Sequence, residues 1–192
     1  LIKKLNIGNK NLDYKKEDIY LIQALLSYPE ILSDHSDDII TIKLSDDKLD
    51  KLKKEIIDTI YSKKITNENA SLLRSILVEK GFEEILNLIS SEYKEFEIKY
   101  LASKDKKIEL KYWLRNLIYE LKKHNLNQNI EDTKQEYLNN NSKENEKKLF
   151  KLKDELSSLN ELHKSDVHDT GVISNSFDDW YEQNKSRLKK KN

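Results

Sequence analysis

Glycine and proline are scarce in this chain, and this scarcity restricts the fold more than any other feature of the sequence. Among 192 residues there are only three glycines and one proline, at Gly8, Gly81, Gly171 and Pro29. β-Hairpins, Greek keys and phosphate-binding loops need glycine in their turns, whereas helices are compatible with its absence. The sequence therefore predicts an all-α protein.

The composition also restricts the kinds of site that the chain can carry. Cysteine is absent, which excludes disulfides, thiolate zinc sites and cysteine nucleophiles. No apolar run approaches the roughly 20 residues of a membrane span, so we expect no membrane partner. The formal net charge is zero; nucleic-acid-binding domains usually carry a basic excess, so we expect no direct nucleic-acid binding. The sequence begins at Leu1 and contains no Met, from which we expect a piece of a larger protein.

Helical apolar spacing begins at Lys16, after a segment without any period, residues 1–15, which we predict to be a linker. Tyr28 precedes Pro29, and a residue before proline is disfavoured in the α conformation, so the first helix is predicted to end there. Proline suits the first turn of a short helix with the sequence PEIL. Residues 33–44 are predicted to form a loop that contains a short extended piece or a buried connection.

Two capped helices and a shorter one are predicted next. Ser45 is the predicted N-cap of a helix, whose apolar stripe contains Leu49, Leu52, Ile56 and Ile60, widened by Ile57 and Tyr61. Thr66 is predicted to cap the following helix, and Gly81 to end it in a left-handed conformation. The shorter helix has its apolar positions at Phe82, Ile85, Leu86 and Ile89.

A long helical pattern starts near Ser103 and passes through Trp113, which we expect to pack in the core rather than to contact a partner. Its apolar spacing slips near His124. If the helix is continuous to about Asn139, its length is roughly 50 Å, which exceeds the diameter of a small bundle. We therefore expect its distal half to project from the body.

Three consecutive asparagines, Asn139 to Asn141, separate this helix from the next. Ser142 is a strong N-cap, and the apolar positions that follow have the narrow spacing of a coiled-coil seam, at Leu149, Leu152, Leu156, Leu159 and His163. The simplest structure is a helical hairpin in which an asparagine adopts the left-handed conformation to close the first helix.

The predicted organisation is thus a helical bundle over residues 16–122, followed by a long helix and a projecting C-terminal helical hairpin over residues 123–164. Residues 165–192 are predicted to be a flexible tail with room for one amphipathic helix around Trp180. The basic end of this tail is interpreted as a solubilising terminus.

Metal-binding residue types occur near the hairpin end but are not expected to form a site. His163, Asp166, His168 and Asp169 lie in one short segment without further ligands nearby. The adjacent carboxylates at residues 37–38 and 46–47 fit a loop and a helix start better than an acid–base pair. We predict no catalytic residue, no cofactor and no metal.

One stretch and the order of the helices resemble a known family. "EDIYLIQALLSYPEIL", Glu17 to Leu32, resembles the opening of the C-terminal, helicase-binding domain of bacterial DnaG-type primase, in which the first helix ends in a proline–glutamate corner. Here Pro29 and Glu30 follow Tyr28. A bundle, one long helix and a hairpin come next, and the last helix reads "NEKKLFKLKDELSSLNELHK".

The resemblance implies a cytoplasmic docking module, monomeric and without catalytic residues, whose partner is the N-terminal domain of a DnaB-type replicative helicase. In this family polymerisation belongs to a separate domain. The alternative is the helicase's own N-terminal bundle, or another helical adaptor that self-associates.

The sparse apolar seam favours docking on physical grounds as well. A two-helix hairpin with one apolar residue in three or four is marginal alone, because helices of this length are stabilised mainly by tertiary packing. A partner that covers the remaining apolar atoms would stabilise it. The predicted partner-binding residues are Lys147, Phe150, Lys151, Leu152, Leu156, Leu159 and Leu162, and some of these must also form the internal seam.

Overall fold

Seven α-helices make up most of the chain that the computed structural model describes, which is residues 5–7, 10–12, 14–92 and 107–170. They are α1 (Lys16–Ser27), α2 (Ile31–Thr41), α3 (Asp47–Lys63), α4 (Ala70–Glu79), α5 (Glu83–Glu92), α6 (Lys107–Asn139) and α7 (Lys143–Thr170). A 3-10 turn, Asn67–Asn69, precedes α4. The all-α prediction is confirmed.

A short β-ribbon lies where the sequence predicted a linker. β1 (Leu5–Ile7) and β2 (Lys10–Leu12) pair antiparallel, with Leu5 opposite Leu12. The two residues between the strands are Gly8 and Asn9, and this dipeptide is a recognised hairpin signal. The linker prediction therefore missed a local signal that the sequence contains.

Helix α1 ends at Ser27, and the residue before Pro29 is not helical, as predicted. Tyr28 lies outside the helical region, with φ −138° and ψ 70°, and its N–H donates to the Ala24 carbonyl at 2.8 Å. By contrast, the predicted loop after the PEIL turn is wrong as far as Thr41, because α2 continues through it with a break at His35. Its two buried residues, Leu32 and Ile39, are two turns apart, and the polar run between them hid the helical period.

The connection from α2 to α3 is buried and extended. Ile42 and Leu44 are buried and alternate with exposed residues. The N-cap of α3 is Asp46 rather than the predicted Ser45, since the Asp46 carboxylate accepts the N–H groups of Lys48 at 2.8 Å and Leu49 at 3.1 Å. Ser45 bonds to a carboxylate of α1 instead.

Helices α1, α3 and α4 pack against one another and supply most of the core of the first part of the chain. The predicted stripe of α3 is buried, including Ile57, but Tyr61 is 53% exposed and does not widen it. Each fully buried leucine or isoleucine contributes about 1.5–3 kcal/mol. The core residues of α1 and α4 are Ile19, Leu21, Ile22, Leu25, Leu73 and Leu77.

Two turn predictions in this region are confirmed. Thr66 forms a capping box with Asn69 around the 3-10 turn that leads into α4. Gly81 follows α4 with φ 87°, a left-handed conformation that glycine adopts without steric cost. A second left-handed residue, Lys64 with φ 51°, ends α3, and the sequence did not indicate it.

The chain divides into two compact units within α6, residues 1–112 and residues 113–192. The predicted boundary lay after residue 122. Trp113 is buried, in agreement with core packing, and so are Leu114, Leu117, Ile118 and Leu121. The proposed amphipathic segment around Trp180 lies outside the described residues.

Candidate partner-binding surface

Helix α6 is continuous through the spacing slip near His124, which the sequence left open, and it ends at Asn139, next to the predicted turn. The predicted cap of α7 is also confirmed, because the Asn145 N–H donates to the Ser142 Oγ at 3.1 Å. Helix α7 then runs to Thr170, so the flexible tail predicted from residue 165 begins at least one turn too early.

The turn between α6 and α7 closes without a left-handed asparagine. Among the non-glycine residues that the structure describes, only Lys64 has a positive φ. The turn is held instead by the Asn140 N–H, which donates to the Glu136 carbonyl at 2.9 Å, and by the Ser142 N–H, which donates to the Asn140 carbonyl at 2.6 Å. The predicted left-handed asparagine is therefore wrong, while the position of the turn is right.

Two sets of contacts show that α6 and α7 run antiparallel. Far from the turn, Tyr119 of α6 stacks on His163 of α7 with 3.7 Å between ring centroids. The Tyr119 hydroxyl also donates to the Asn160 Oδ1 at 2.8 Å. Near the turn, the Lys148 Nζ lies 3.2 Å from the Glu136 carboxylate. Tyr119 and Glu136 are about 25 Å apart along α6 at 1.5 Å per residue.

The seam between the two helices is thin. On α7, Leu149, Leu152, Leu156 and Leu159 share the face of His163, and all are only half-buried. On α6, the matching face contains Leu126, which is half-buried, and Ile130 and Thr133, which are buried. A polar threonine thus occupies one of the few fully buried positions of the seam.

The structure divides the seven predicted partner-binding residues between two faces of α7. Leu152, Leu156 and Leu159 lie on the seam face, whereas Phe150 and Leu162 are 60% and 67% exposed. At 100° per residue, two positions from Leu152 to Phe150 correspond to a turn of about 200° around the helix. The seven residues therefore do not form one continuous surface.

The two remaining predicted residues, Lys147 and Lys151, are exposed and belong to the outer face with Phe150. Lys151 approaches Glu155 at 3.8 Å, but its side chain is 80% exposed, and a pair of this kind contributes little to stability. These lysines are consequently available to an external group.

A second set of polar residues, which the sequence interpretation did not single out, is buried in the first unit. Asp18 of α1 accepts the Ser45 N–H at 2.9 Å and the Ser45 hydroxyl. Asp50 of α3 accepts the Leu44 N–H at 3.1 Å, and Lys53 donates to the Ile42 carbonyl. These three side chains satisfy the backbone of the buried α2–α3 connection.

The pKa values of the three groups reflect this environment. Burial raises the pKa of Asp18, and the hydrogen bonds from Ser45 offset it only in part. Burial lowers the pKa of Lys53, against the opposing charge of Asp50. Burial alone would raise the pKa of Asp50, but the hydrogen bonds from Lys54 and Leu44 and the charge of Lys53 lower it below its ordinary value. Each charge is enclosed and bonded, which fits an anchor for the connection.

The histidine and the acidic residues considered as metal ligands or catalysts make local structural contacts where their side chains are described. Within that part of the chain, no group of three or more histidines or carboxylates could hold a metal ion. His163 stacks on Tyr119, Asp46 caps α3, and Asp37 accepts the Ser36 hydroxyl at 3.3 Å. The side chains of Asp166, His168 and Asp169 lie outside the described set.

The described helices contain no stretch with the length and apolarity required to cross a membrane. Comparisons with known proteins return no match: none with a family model, with a curated protein or with a solved structure. The likeness to the primase domain therefore depends on the quoted residues and the element order alone.

Proposed function

We propose that this chain is a non-catalytic docking domain, namely the helicase-binding domain of a bacterial DNA primase in the cytoplasm. Its partner in this proposal is the N-terminal domain of a DnaB-type replicative helicase. Binding would recruit the primase to the replication fork and modulate the helicase. The resemblance supplies the identity of the partner, and the hairpin supplies the physical reason for docking.

The observation that carries the proposal is the incomplete burial of the α6–α7 hairpin. None of the described α7 side chains is fully buried, and the seam leucines keep part of their surface in water. Apolar surface removed from water contributes about 25 cal/mol per Å². A partner that covers this surface would therefore stabilise both the hairpin and the complex, as in helix-in-groove recognition.

The proline–glutamate corner supports the fold that the resemblance implies. The Glu30 carboxylate accepts the Asn67 Nδ2–H at 2.7 Å and the Asn67 N–H at 3.4 Å, and the Glu30 N–H donates to the Asn67 Oδ1 at 3.3 Å. This reciprocal clamp joins the corner after α1 to the turn before α4. The corner thus has a structural reason to be present and needs no role in binding.

The buried charges also favour docking over catalysis for the first unit. Asp18, Asp50 and Lys53 are at most 5% exposed, and each is bonded to backbone groups of the α2–α3 connection. A substrate could not reach them without unfolding that connection. Their chemistry is accounted for by the fold.

The test is direct complex formation. The purified chain is mixed with the DnaB-type helicase encoded in the same genome, and the mass is measured by light scattering coupled to size exclusion. We expect a complex heavier than the helicase alone. A Leu156→Asp, Leu159→Asp variant, which places carboxylates in the seam, should form no complex while circular dichroism shows that the rest of the chain stays helical.

Absence of a complex with the wild-type chain would overturn the proposal. A stable homo-oligomer of the chain without helicase would favour the alternative, a self-associating bundle such as the N-terminal domain of the helicase itself.

A further inference from the structure

The two helices of the hairpin are matched position by position from one fixed point. Tyr119 is level with His163, because their rings stack, and each step along α6 toward the turn corresponds to one step back along the antiparallel α7. Leu126 is therefore level with Leu156, since 126 − 119 and 163 − 156 are both 7. The same count meets at residue 141, between the end of α6 and the start of α7.

The leucines of α7 recur every three or four residues, so a slide of one helical turn returns a leucine to most levels of the seam. Thr133 of α6 is level with Leu149 in the observed register, since 133 − 119 and 163 − 149 are both 14. After a slide of α7 by one turn toward the hairpin turn, about 5.4 Å, Thr133 is level with Leu152 instead. One-turn slides of packed elements occur in switching proteins.

Apolar contacts alone do not favour the observed register. Two of its levels pair an apolar or aromatic side chain with a polar one, namely Leu159 with Lys123 and Tyr137 with Asn145. The slide replaces both polar partners with leucines, which are Leu126 and Leu149. The apolar sequence of the seam is therefore at least as compatible with the shifted register.

The contacts of Tyr119 hold the observed register. Its ring stacks on His163 with 5° between the ring planes, and its hydroxyl donates to the Asn160 Oδ1 at 2.8 Å. After the slide, Tyr119 would be level with residues 166–167, one turn further along α7, and both contacts would be lost.

The other polar contacts of the hairpin differ in how they depend on register. Glu136 is level with residue 146 before the slide and with residue 149 or 150 after it, and its partner Lys148 lies between these positions, so this ion pair selects neither register. The Ser142 cap belongs to the observed register, because the slide moves the centre of the turn from residue 141 to about residue 143.

We propose that the α6–α7 hairpin is a two-register element in which Tyr119, through His163 and Asn160, locks the observed register. Polar side chains at seam positions specify the register of paired helices in this way. A partner that binds the shifted register more tightly moves α7 by one turn, so that binding at one end of the hairpin is transmitted to the other. Any partner with this preference suffices, so the two-register element does not depend on the docking partner proposed above.

Disulfide formation measures the register directly, because the chain contains no cysteine of its own. Thr133→Cys, Leu149→Cys joins positions that are level in the observed register, and Thr133→Cys, Leu152→Cys joins positions that are level after the slide. A mild oxidant is added to each full-length pair, and the monomeric cross-linked product is followed by mass spectrometry. With Tyr119 in place, the first pair should close at least about tenfold faster than the second, because a disulfide requires its two Cα atoms to be close.

Variants of Tyr119 test the lock. Tyr119→Ala should raise the closure rate of the second pair relative to the first by about tenfold, the combined effect of one aromatic stack and one hydrogen bond. Tyr119→Phe loses only the bond to Asn160 and should raise this ratio by about threefold. Tyr137→Ala is the matched control: it truncates another half-buried tyrosine of the same face of α6 and should not raise the ratio, because Tyr137 gains a leucine neighbour in the shifted register.

Three outcomes would overturn the lock. An unchanged ratio in Tyr119→Ala would show that Tyr119 does not hold the register. Equal closure of the two pairs with Tyr119 in place would show that the register is not fixed. A rise with Tyr137→Ala as large as that with Tyr119→Ala would mean that the loss of either tyrosine loosens the hairpin. If circular dichroism shows that Tyr119→Ala loses helix, Tyr119→Phe decides, and an unchanged ratio there overturns the inference.

Discussion

At the scale of single residues, the buried charges of α1 and α3 are the least obvious feature of the sequence. Lys53 is 1% exposed, yet its type predicts a solvated position. Its position in the sequence indicates burial instead, because Lys53 is four residues after Leu49 and three before Ile56, on the apolar stripe of α3. A charged residue in register with such a stripe is a candidate for a buried bond to backbone.

Asp18 provides a test of this burial through pH. Its folded-state pKa is raised above the ordinary value of 3.8, because burial penalises the ionised form. The contribution of the neutral Asp18 carboxyl to the free energy of unfolding is therefore fully present below pH 3.8. It is lost as the pH rises through the folded-state pKa of Asp18. An asparagine at this position would accept the same hydrogen bonds from Ser45 and would not titrate.

We accordingly expect the free energy of unfolding of the wild-type chain, relative to Asp18→Asn, to fall as pH rises above about 3.8. Urea unfolding of both proteins at a series of pH values measures this difference. Asp50 also titrates, but both proteins contain it, so its contribution to the difference in unfolding free energy cancels. A difference that is constant with pH, or that rises, would show that the Asp18 carboxyl is not penalised by burial.

At the scale of elements, the hairpin depends on its cap as well as on its seam. The Ser142 hydroxyl satisfies an N–H of the first turn of α7, and no fully buried α7 side chain among those described compensates for its loss. Ser142→Ala should therefore destabilise α7 by about 1 kcal/mol. Ser157→Ala makes the same chemical change at an exposed position in the middle of α7, where alanine is the better helix former.

Thermal unfolding followed by circular dichroism compares the two variants. The Ser142→Ala variant should lose helix at lower temperature than the wild type, and the Ser157→Ala variant should not. Equal melting curves for the wild type and Ser142→Ala would mean that the cap is not used in solution.

The same elements show how far the sequence determines the fold. Three caps and stops that follow from one residue's chemistry were predicted at the right place, at Tyr28 before proline, Gly81 and Ser142. The cap of α3 was predicted one residue too early, at Ser45 instead of Asp46. The extent of α2 was missed because only two of its residues are buried. The division of the predicted partner-binding residues between two faces was not predicted: Phe150 and the lysines were selected together with leucines that the antiparallel helix α6 half-covers.

At the scale of the molecule, the two units differ in how fully their helices are buried. Helix α1 has seven buried residues in twelve, and α3 has eight in seventeen, whereas the described side chains of α7 include none. Local opening requires less free energy where few apolar contacts must be broken. The hairpin should therefore open more often than the core of the first unit.

Hydrogen–deuterium exchange measured by mass spectrometry tests this difference on the intact chain. Amides of α1 and α3 should exchange slowest, and amides of α7 should exchange fastest among the helices, with a difference that grows toward the turn. Addition of the helicase should slow exchange in α7 more than in α1 and α3, because the proposed partner covers the half-buried leucines of α7. Slower exchange confined to α1 and α3 would place the partner on the first unit and would leave the hairpin without a role in docking.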